Sequence, residues 1–298
     1  MLFLHEMKDA LLNTYSTTNN TVVGIITWIR GAARIFAMEG RKEKELDAEK
    51  WDKNMICCKR ELHTYGKASV NTWPIANVLG YLHEEVVTRV VSRRTDSYCI
   101  GHSLGAQLCG FFGKILKEMT TLKGGNYALK RIIGLDPAGP IFDDPLQNSM
   151  LRLGKDDADI VEIIHTNAET KGYTGPLGDL DFYINSGKRQ PWCPPPLNHM
   201  DRLMNTSSCS HYYAVELFMQ FIKTDFPCHI TPMKNKIAGH NIRVDTTKLK
   251  DSKYRPTCID NKPVFYLGDV SNKLSIPKGT YYVDTDKGYV ADITRSCK

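Results

Sequence analysis

Five residues with the sequence GHSLG, at positions 101–105, have the types and spacing that nucleophilic catalysis requires. Residues 98–100 before them read as a short strand, and apolar residues recur at helical spacing from Leu104 to Met119 after them. A G-x-S-x-G pattern between a strand and a helix is typical of a nucleophile elbow, which lifts a serine hydroxyl above the sheet. Glycines flank the serine because this strained turn leaves no room for a Cβ. We therefore predict that Ser103 is a nucleophile and that the N–H of Leu104 faces a developing oxyanion.

A nucleophilic serine needs a histidine as its base, and that histidine needs an acid to orient it. At such an elbow the expected chain order is serine, acid, histidine. Asp136 ends the next predicted strand, in RIIGLDPAGP, and so lies at the sheet edge where α/β proteins bind ligands. His211 follows a long loop and precedes the last strong helix, so we expect a loop-borne imidazole that reaches the same edge. The predicted triad is Ser103, Asp136 and His211.

Other residues compete for the two partner roles. The alternatives are three histidines and two aspartates: His102, His165, His199, Asp159 and Asp181. The first histidine flanks the nucleophile and is expected to pack against the sheet, the second ends a predicted strand and is expected to be structural, and the third lies in a loop. Aspartates of this kind are most often turn or cap residues. Spacing favours the predicted triad but leaves these alternatives open.

The elements that must position these residues alternate between strands and helices. Predicted strands cover residues 22–28, 98–100, 131–136 and 160–166, and predicted helices cover residues 75–91, 104–119 and 212–222. This alternation predicts an α/β fold with a mostly parallel central sheet and helices on both faces. Residues 41–53 carry 10 charged side chains in 13 positions and are expected to be solvated.

Composition excludes several classes of protein. The chain has 298 residues, 42% of them hydrophobic and 24% charged, and a net charge of +6, which is ordinary for a globular domain. This excludes disordered, collagen-like and coiled-coil chains. Basic clusters and stacking aromatics do not occur together, so no nucleic acid partner is implied. No stretch approaches the ~20 apolar residues of a transmembrane helix.

Cysteine usage argues against a metal site. The nine cysteines include no C-x-x-C pair, so zinc is not expected, and no other metal or cofactor is predicted. Cys99 and Cys109 lie in apolar strand and helix patterns and are expected to be free, packed thiols.

Several longer motifs carry a resemblance to a known family. They are GHSLGAQLCGFFGK from 101, GLDPAGPIF from 134, DADIVEIIHTN from 157, LGDLDFYINSGKRQPWC from 177 and CSHYYAVELF from 209. Over about residues 20–285 the chain resembles the pancreatic-type (neutral) lipases and the related secreted phospholipases A1. The resemblance implies an α/β-hydrolase fold, hydrolysis of lipid carboxylic esters without a cofactor, and the triad Ser103, Asp136 and His211.

The same resemblance implies a lid over the site. A disulfide between Cys193 and Cys209 would close its base, and four apolar residues at helix-like spacing would form its inner face: Leu197, Met200, Leu203 and Met204. An ordinary disulfide-stapled surface loop is the alternative. The intermediate lid length of 15 residues and the compact stretch HTNAETKGYTGPLGDLDF favour phospholipid or galactolipid substrates.

The chain also departs from the family pattern. We find no HGF-type segment, whose backbone gives the second oxyanion donor, although His5 is a candidate remnant. Losing one such donor costs about 10²–10³ in rate. No signal peptide is recognisable, so we expect a truncated N-terminus that lacks the first strands, in a protein that the resemblance places outside the cell. The expected organisation is a single domain over residues 1–298, with an atypical charged insertion at 41–67 and without the C-terminal β-sandwich, so no colipase is implied.

These observations support one main function and two alternatives. The main expectation is a lipid ester hydrolase, either a triacylglycerol lipase or a phospholipase A1, that acts at a membrane, micelle or droplet surface. The first alternative is a non-catalytic lipid-binding or yolk-storage relative, which the retained Ser103 argues against. The second is an esterase for small soluble esters.

Overall fold

The computed structural model describes residues 7–9, 11–13, 25, 53–89, 96–124, 127–143, 149–168, 170–194, 208–224, 231–232 and 278–283. Three sets of predicted residues lie outside these ranges: all but one residue of the strand at 22–28, His5 and His199, and the lid residues Leu197, Met200, Leu203 and Met204. No helix in the described ranges is long and apolar enough to cross a membrane.

Six strands form one sheet in the described part of the chain. They are β1 (Tyr98–His102), β2 (Arg131–Leu135), β3 (Ile160–His165), β4 (Leu180–Ile184), β5 (Thr231–Pro232) and β6 (Gly279–Val283). The order is β1-β2-β3-β4-β6-β5, and all neighbours are parallel except the pair β5 and β6. The predicted mostly parallel α/β arrangement is confirmed and is consistent with an α/β-hydrolase fold.

Three α-helices of 17 residues or more accompany the sheet within these ranges: α1 (Lys53–Arg89), α2 (Leu104–Lys123) and α3 (Ser208–Thr224). Residues 7–9 and 11–13 are also helical. The elbow helix α2 begins at the predicted residue and runs four residues further than expected. The helix predicted at 75–91 is the second half of α1, which continues through Pro74. Residues 53–67, which belong to the expected charged insertion at 41–67, form the first part of this helix.

Apolar side chains cover both faces of the sheet. Adjacent strand residues point to opposite faces, so Ile132 and Ile133 enter different clusters. Ile133 packs with Phe182 and with Phe218 of α3, whereas Ile132 packs with Leu116 of α2. Burial on both faces explains why the central strands read as continuous apolar runs, and it makes the sheet a rigid platform for its carboxyl edge.

The described residues contain two disulfides, Cys99–Cys109 and Cys193–Cys209. The second bond is the one that the resemblance implied. The expectation that Cys99 and Cys109 are free thiols was wrong. After the elbow, α2 folds back along β1 and brings the two Cα atoms to 5.7 Å, within the normal range for a disulfide. An apolar sequence pattern is the same for a packed thiol and for a half-cystine, so it could not reveal this bond.

One largely buried ion pair joins α2 to the segment before β3. Lys114 Nζ lies 2.6 Å from both carboxylate oxygens of Asp157 and donates to Arg152 O at 2.8 Å. Asp157 Oδ2 also accepts from the N–H of Gly154 at 2.8 Å. Burial lowers the pKa of Lys114 and raises the pKa of Asp157, so desolvation opposes both charges. Each charge is therefore tolerated because the other is present.

We expect Lys114→Met to destabilise the fold by about 3–5 kcal/mol, because it leaves the Asp157 carboxylate buried without a cation. Urea denaturation at pH 7 measures the change. Lys123→Met is the matched control, since Lys123 pairs with Glu84 on the solvated side of α2. Equal losses from the two variants would contradict a special role for the buried pair.

Candidate active site

The backbone at Ser103 has the sharp turn that the G-x-S-x-G pattern predicts. Ser103 lies between β1 and α2 with φ 57° and ψ −122°, a conformation that L-residues rarely adopt. A Cβ on Gly101 would lie 2.2 Å from the carbonyl oxygen of Gly105, so glycine is obligatory there. The N–H of Ser103 donates to Leu135 O at 3.1 Å, which fixes the elbow beside the end of β2.

The start of α2 leaves backbone donors beside the serine. The carbonyl of Ser103 accepts from the N–H groups of Ala106 at 3.0 Å and Ala138 at 3.1 Å. Leu104 is the first residue of α2, so its own N–H has no acceptor within the helix, and the helix dipole adds partial positive charge there. This is the position from which the N–H of Leu104 is predicted to face an oxyanion.

The structure brings Asp136 and His211 together, although 75 residues separate them. Asp136 is fully buried, and its Oδ2 accepts from Nδ1 of His211 at 2.5 Å. Its Oδ1 accepts from the N–H groups of Thr166 at 2.8 Å and Asn167 at 2.9 Å. A Cβ on Gly172 would lie 2.5 Å from the same oxygen, so the loop backbone encloses the carboxylate. With Nδ1 bonded to Asp136, Nε2 is the ring nitrogen that remains for proton exchange.

His211 lies in the first turn of α3, not in a loop as expected. The apolar spacing that predicts this helix starts at Tyr212, whereas the helix itself begins four residues earlier, at Ser208, with a polar first turn. Two hydrogen bonds and a disulfide hold this turn. Lys171 Nζ donates to Ser208 Oγ at 2.9 Å, the N–H of Gln190 donates to Ser210 Oγ at 2.9 Å, and Cys209 is bonded to Cys193. Covalent and polar restraints therefore limit how far the imidazole can move.

The alternative acids have other partners. Asp181 Oδ1 lies 2.8 Å from Nε2 of His165, which forms a second buried His–Asp pair between β3 and β4. The Asp181 carboxylate also accepts from two backbone N–H groups in the loop before β4. Asp159 pairs with Lys130 at 2.8 Å, at the strand ends opposite the elbow. These contacts favour Asp136 as the acid for His211.

His102 contacts His211 directly, whereas its sequence position suggested only packing against the sheet. Its Nε2 lies 3.0 Å from the carbonyl oxygen of His211, and because a carbonyl can only accept, Nε2 is the donor. The ring centroids of the two histidines are 4.4 Å apart, and the His102 ring also stacks on Tyr212. Burial, followed by repulsion from His211, lowers the pKa of His102 to about 3. His102 therefore stays neutral while it holds the backbone of His211.

The depressed pKa of His102 makes stability depend on pH. Between about pH 3 and pH 6.5 the unfolded chain binds a proton at this ring and the folded chain does not, so stability falls as the pH is lowered. We expect His102→Gln, which keeps a donor for His211 O, to flatten the dependence of unfolding free energy on pH in this window. Urea denaturation of both proteins at pH 7 and pH 5 measures the difference, and identical slopes would refute it.

The described ranges contain no group of three or more His, Cys, Asp or Glu side chains that could hold a metal ion. At this sheet edge Asp136, His211 and His102 are instead engaged with one another and with backbone groups. The arrangement can exchange a proton through His211, and it holds a serine beside helix N–H donors.

Comparisons with known proteins identify the family of the chain. Residues 10–234 match the family model described as Lipase. The chain is 37% identical over 170 residues to Lipase member H of Oryctolagus cuniculus, covering 55% of this chain and 34% of the relative. It is 32% identical over 285 residues to Phospholipase A1 1 of Polistes dominula, covering 95% of this chain and 68% of the relative.

A third relative, Phospholipase A1 1 of Dolichovespula maculata, is 35% identical over 179 residues, or 58% of this chain and 51% of the relative. The chain thus spans between about a third and about two thirds of the length of these three relatives. The family match covers the elbow, both members of the buried Asp136–His211 pair and every strand from β1 to β5. The chain belongs to the lipase family.

Proposed function

We propose that this chain hydrolyses carboxylic esters of lipids, with Ser103 as nucleophile, His211 as general base and acid, and Asp136 as the orienting acid. The buried 2.5 Å hydrogen bond between Asp136 and His211 carries the proposal, because this contact gives a histidine the orientation that a base requires. The N–H of Ser103 bonds to Leu135, the residue before Asp136, so the nucleophile and the acid share one corner of the sheet. Membership of the lipase family and relatives named lipase and phospholipase A1 support the lipid substrate.

In the proposed reaction Ser103 Oγ attacks the ester carbonyl carbon while Nε2 of His211 takes the hydroxyl proton. The N–H of Leu104 stabilises the negative oxygen of the tetrahedral intermediate. When the ester C–O bond breaks, His211 returns the proton to the leaving alcohol, and an acyl-serine remains. Water then attacks this acyl group, again through His211, and a fatty acid leaves with Ser103 restored. Asp136 remains ionised and offsets the charge of the imidazolium.

Several features extend the proposal to the surroundings of the reaction. Two disulfides fit an oxidising compartment, which supports an extracellular location. The bond between Cys193 and Cys209 closes a 15-residue segment directly before the turn that carries His211, where a lid would control access of a lipid surface. The compact connection between β3 and β4 and the relatives named phospholipase A1 favour a phospholipid substrate.

Replacement of the nucleophile is the primary test. We expect Ser103→Ala to lower fatty acid release from phospholipid vesicles by about 10⁴-fold or more, because the acyl-enzyme can no longer form. Ser97→Ala is the matched control, since this serine bonds to His83 before β1, at the other end of that strand. Titration of released acid measures both variants. Release that is unchanged by Ser103→Ala would refute the assignment.

The non-catalytic alternative predicts a different result for the wild-type chain. A lipid-binding relative would bind vesicles but would not react with a fluorophosphonate probe, which forms a covalent bond with an activated serine. We expect stoichiometric labelling that Ser103→Ala abolishes. Vesicle binding without labelling would favour the lipid-binding alternative.

The substrate class is tested by comparing three substrates for the same preparation. We expect the highest kcat/KM with phospholipid vesicles, a lower value with a triacylglycerol emulsion, and the lowest with a small ester below its micelle threshold. A rate that does not rise when the ester crosses this threshold would favour an esterase for soluble substrates.

A further inference from the structure

Ile141 has a backbone conformation that its side chain disfavours. Its φ is 77°, in the left-handed region, where a β-branched residue is a genuine outlier. The N–H of Phe142 bonds to Gly139 O at 2.9 Å and closes a turn with Pro140 at its second position and Ile141 at its third. Proline followed by a positive φ is the type II pattern, in which glycine or asparagine is preferred at the third position. Isoleucine at this position is therefore strained.

Hydrogen bonds around the turn maintain this strain. The N–H of Gly139 donates to Lys171 O at 2.8 Å, and the hydroxyl of Tyr65 donates to Pro140 O at 3.0 Å. Burial raises the pKa of Tyr65 to about 12, so its phenol remains a donor. On the other side, Ala138 is bonded through its N–H to Ser103 O and through its carbonyl to the Gln107 side chain. The turn is thus anchored to the elbow itself.

Burial does not account for the isoleucine. Ile141 is 49% exposed, whereas the next residue, Phe142, is 3% exposed and packs in the core. A glycine would remove the strain and a polar residue would suit the solvent, so folding alone does not favour isoleucine here. Strain that the surroundings enforce is characteristic of functional sites.

The position of Ile141 indicates what it contacts. It is three residues beyond Ala138, whose N–H donates to the Ser103 carbonyl. The Cα of Ile141 therefore lies within about 11 Å of the Cα of Ala138. An acyl group attached to Ser103 must pass apolar surface near the elbow, because ligand pockets for such groups are lined by apolar side chains. Within the described ranges, Ile141 is the half-exposed large apolar residue on the segment that is hydrogen-bonded to Ser103.

We propose that Ile141 is a specificity-determining residue that contacts the acyl chain of an ester bound at Ser103 and favours long chains over short ones. The proposal rests on the proposed ester hydrolysis. Replacement of Ile141 should therefore have two effects of opposite sign. Relief of the backbone strain raises stability, and loss of the substrate contact lowers activity.

The test compares Ile141→Asn and Ile141→Gly with the wild-type chain on long-chain and acetyl esters of p-nitrophenol. We expect both variants to raise Tm by about 2–4 °C, because they relieve the left-handed strain. We expect kcat/KM for the long-chain ester to fall by about tenfold or more, since each lost methylene contact weakens discrimination, with the acetyl ester nearly unchanged. Leu122→Asn is the control, because Leu122 is exposed near the far end of α2 and should alter neither Tm nor chain-length preference.

Each other outcome has a definite meaning. An unaltered chain-length preference, or an equal loss on both esters, would overturn the proposed contact with the acyl chain. A lower Tm in both variants would overturn the strain argument. A wild-type chain that hydrolyses neither ester would instead contradict the proposed function itself, and the inference would fall with it.

Discussion

The bend of the chain at Ser103 is the constraint on which the remaining structure depends. A strand that turns directly into a helix forces one residue to a positive φ and presses Gly101 against the carbonyl of Gly105. Because α2 then runs back along β1, the bend also brings Cys99 and Cys109 within bonding distance. The same turn places helix N–H donors beside the serine hydroxyl. One local steric requirement therefore positions a helix, a disulfide and the proposed nucleophile.

The buried carboxylate of Asp136 is the second constraint, and it depends on backbone rather than side-chain support. Two N–H groups after β3 donate to it, and the absence of a side chain at Gly172 allows the loop before β4 to close over it. A buried charge is costly unless hydrogen bonds satisfy it. The loops that enclose Asp136 therefore stabilise the charge and also aim it at His211, whose backbone is held from the other side by His102.

Strain is concentrated at the carboxyl edge of an otherwise regular sheet. Ser103, Asp136 and Ile141 all have positive φ, and each lies at or just beyond the end of β1 or β2. The strands beneath them are apolar on both faces and tightly packed, which gives the rigid support that strained residues require. Stability supplied by the core thus permits a polar, strained and partly exposed edge where the proposed chemistry takes place.

The sequence by itself determined the elbow, α2, strands β1 to β3 and the chain order of Ser103, Asp136 and His211. Local periodicity and turn sterics depend only on residues that are close together in the chain, so the sequence shows them directly. Their catalytic roles remain predictions. Tertiary structure alone decided that Cys99 bonds to Cys109 and that His102 donates to the carbonyl of His211 across 109 residues. It also decided that Asp181 pairs with His165. These contacts join elements that the sequence does not place side by side, so no local pattern could reveal them. The start of α3 was missed for a related reason, since its first turn is largely polar and carries no apolar period.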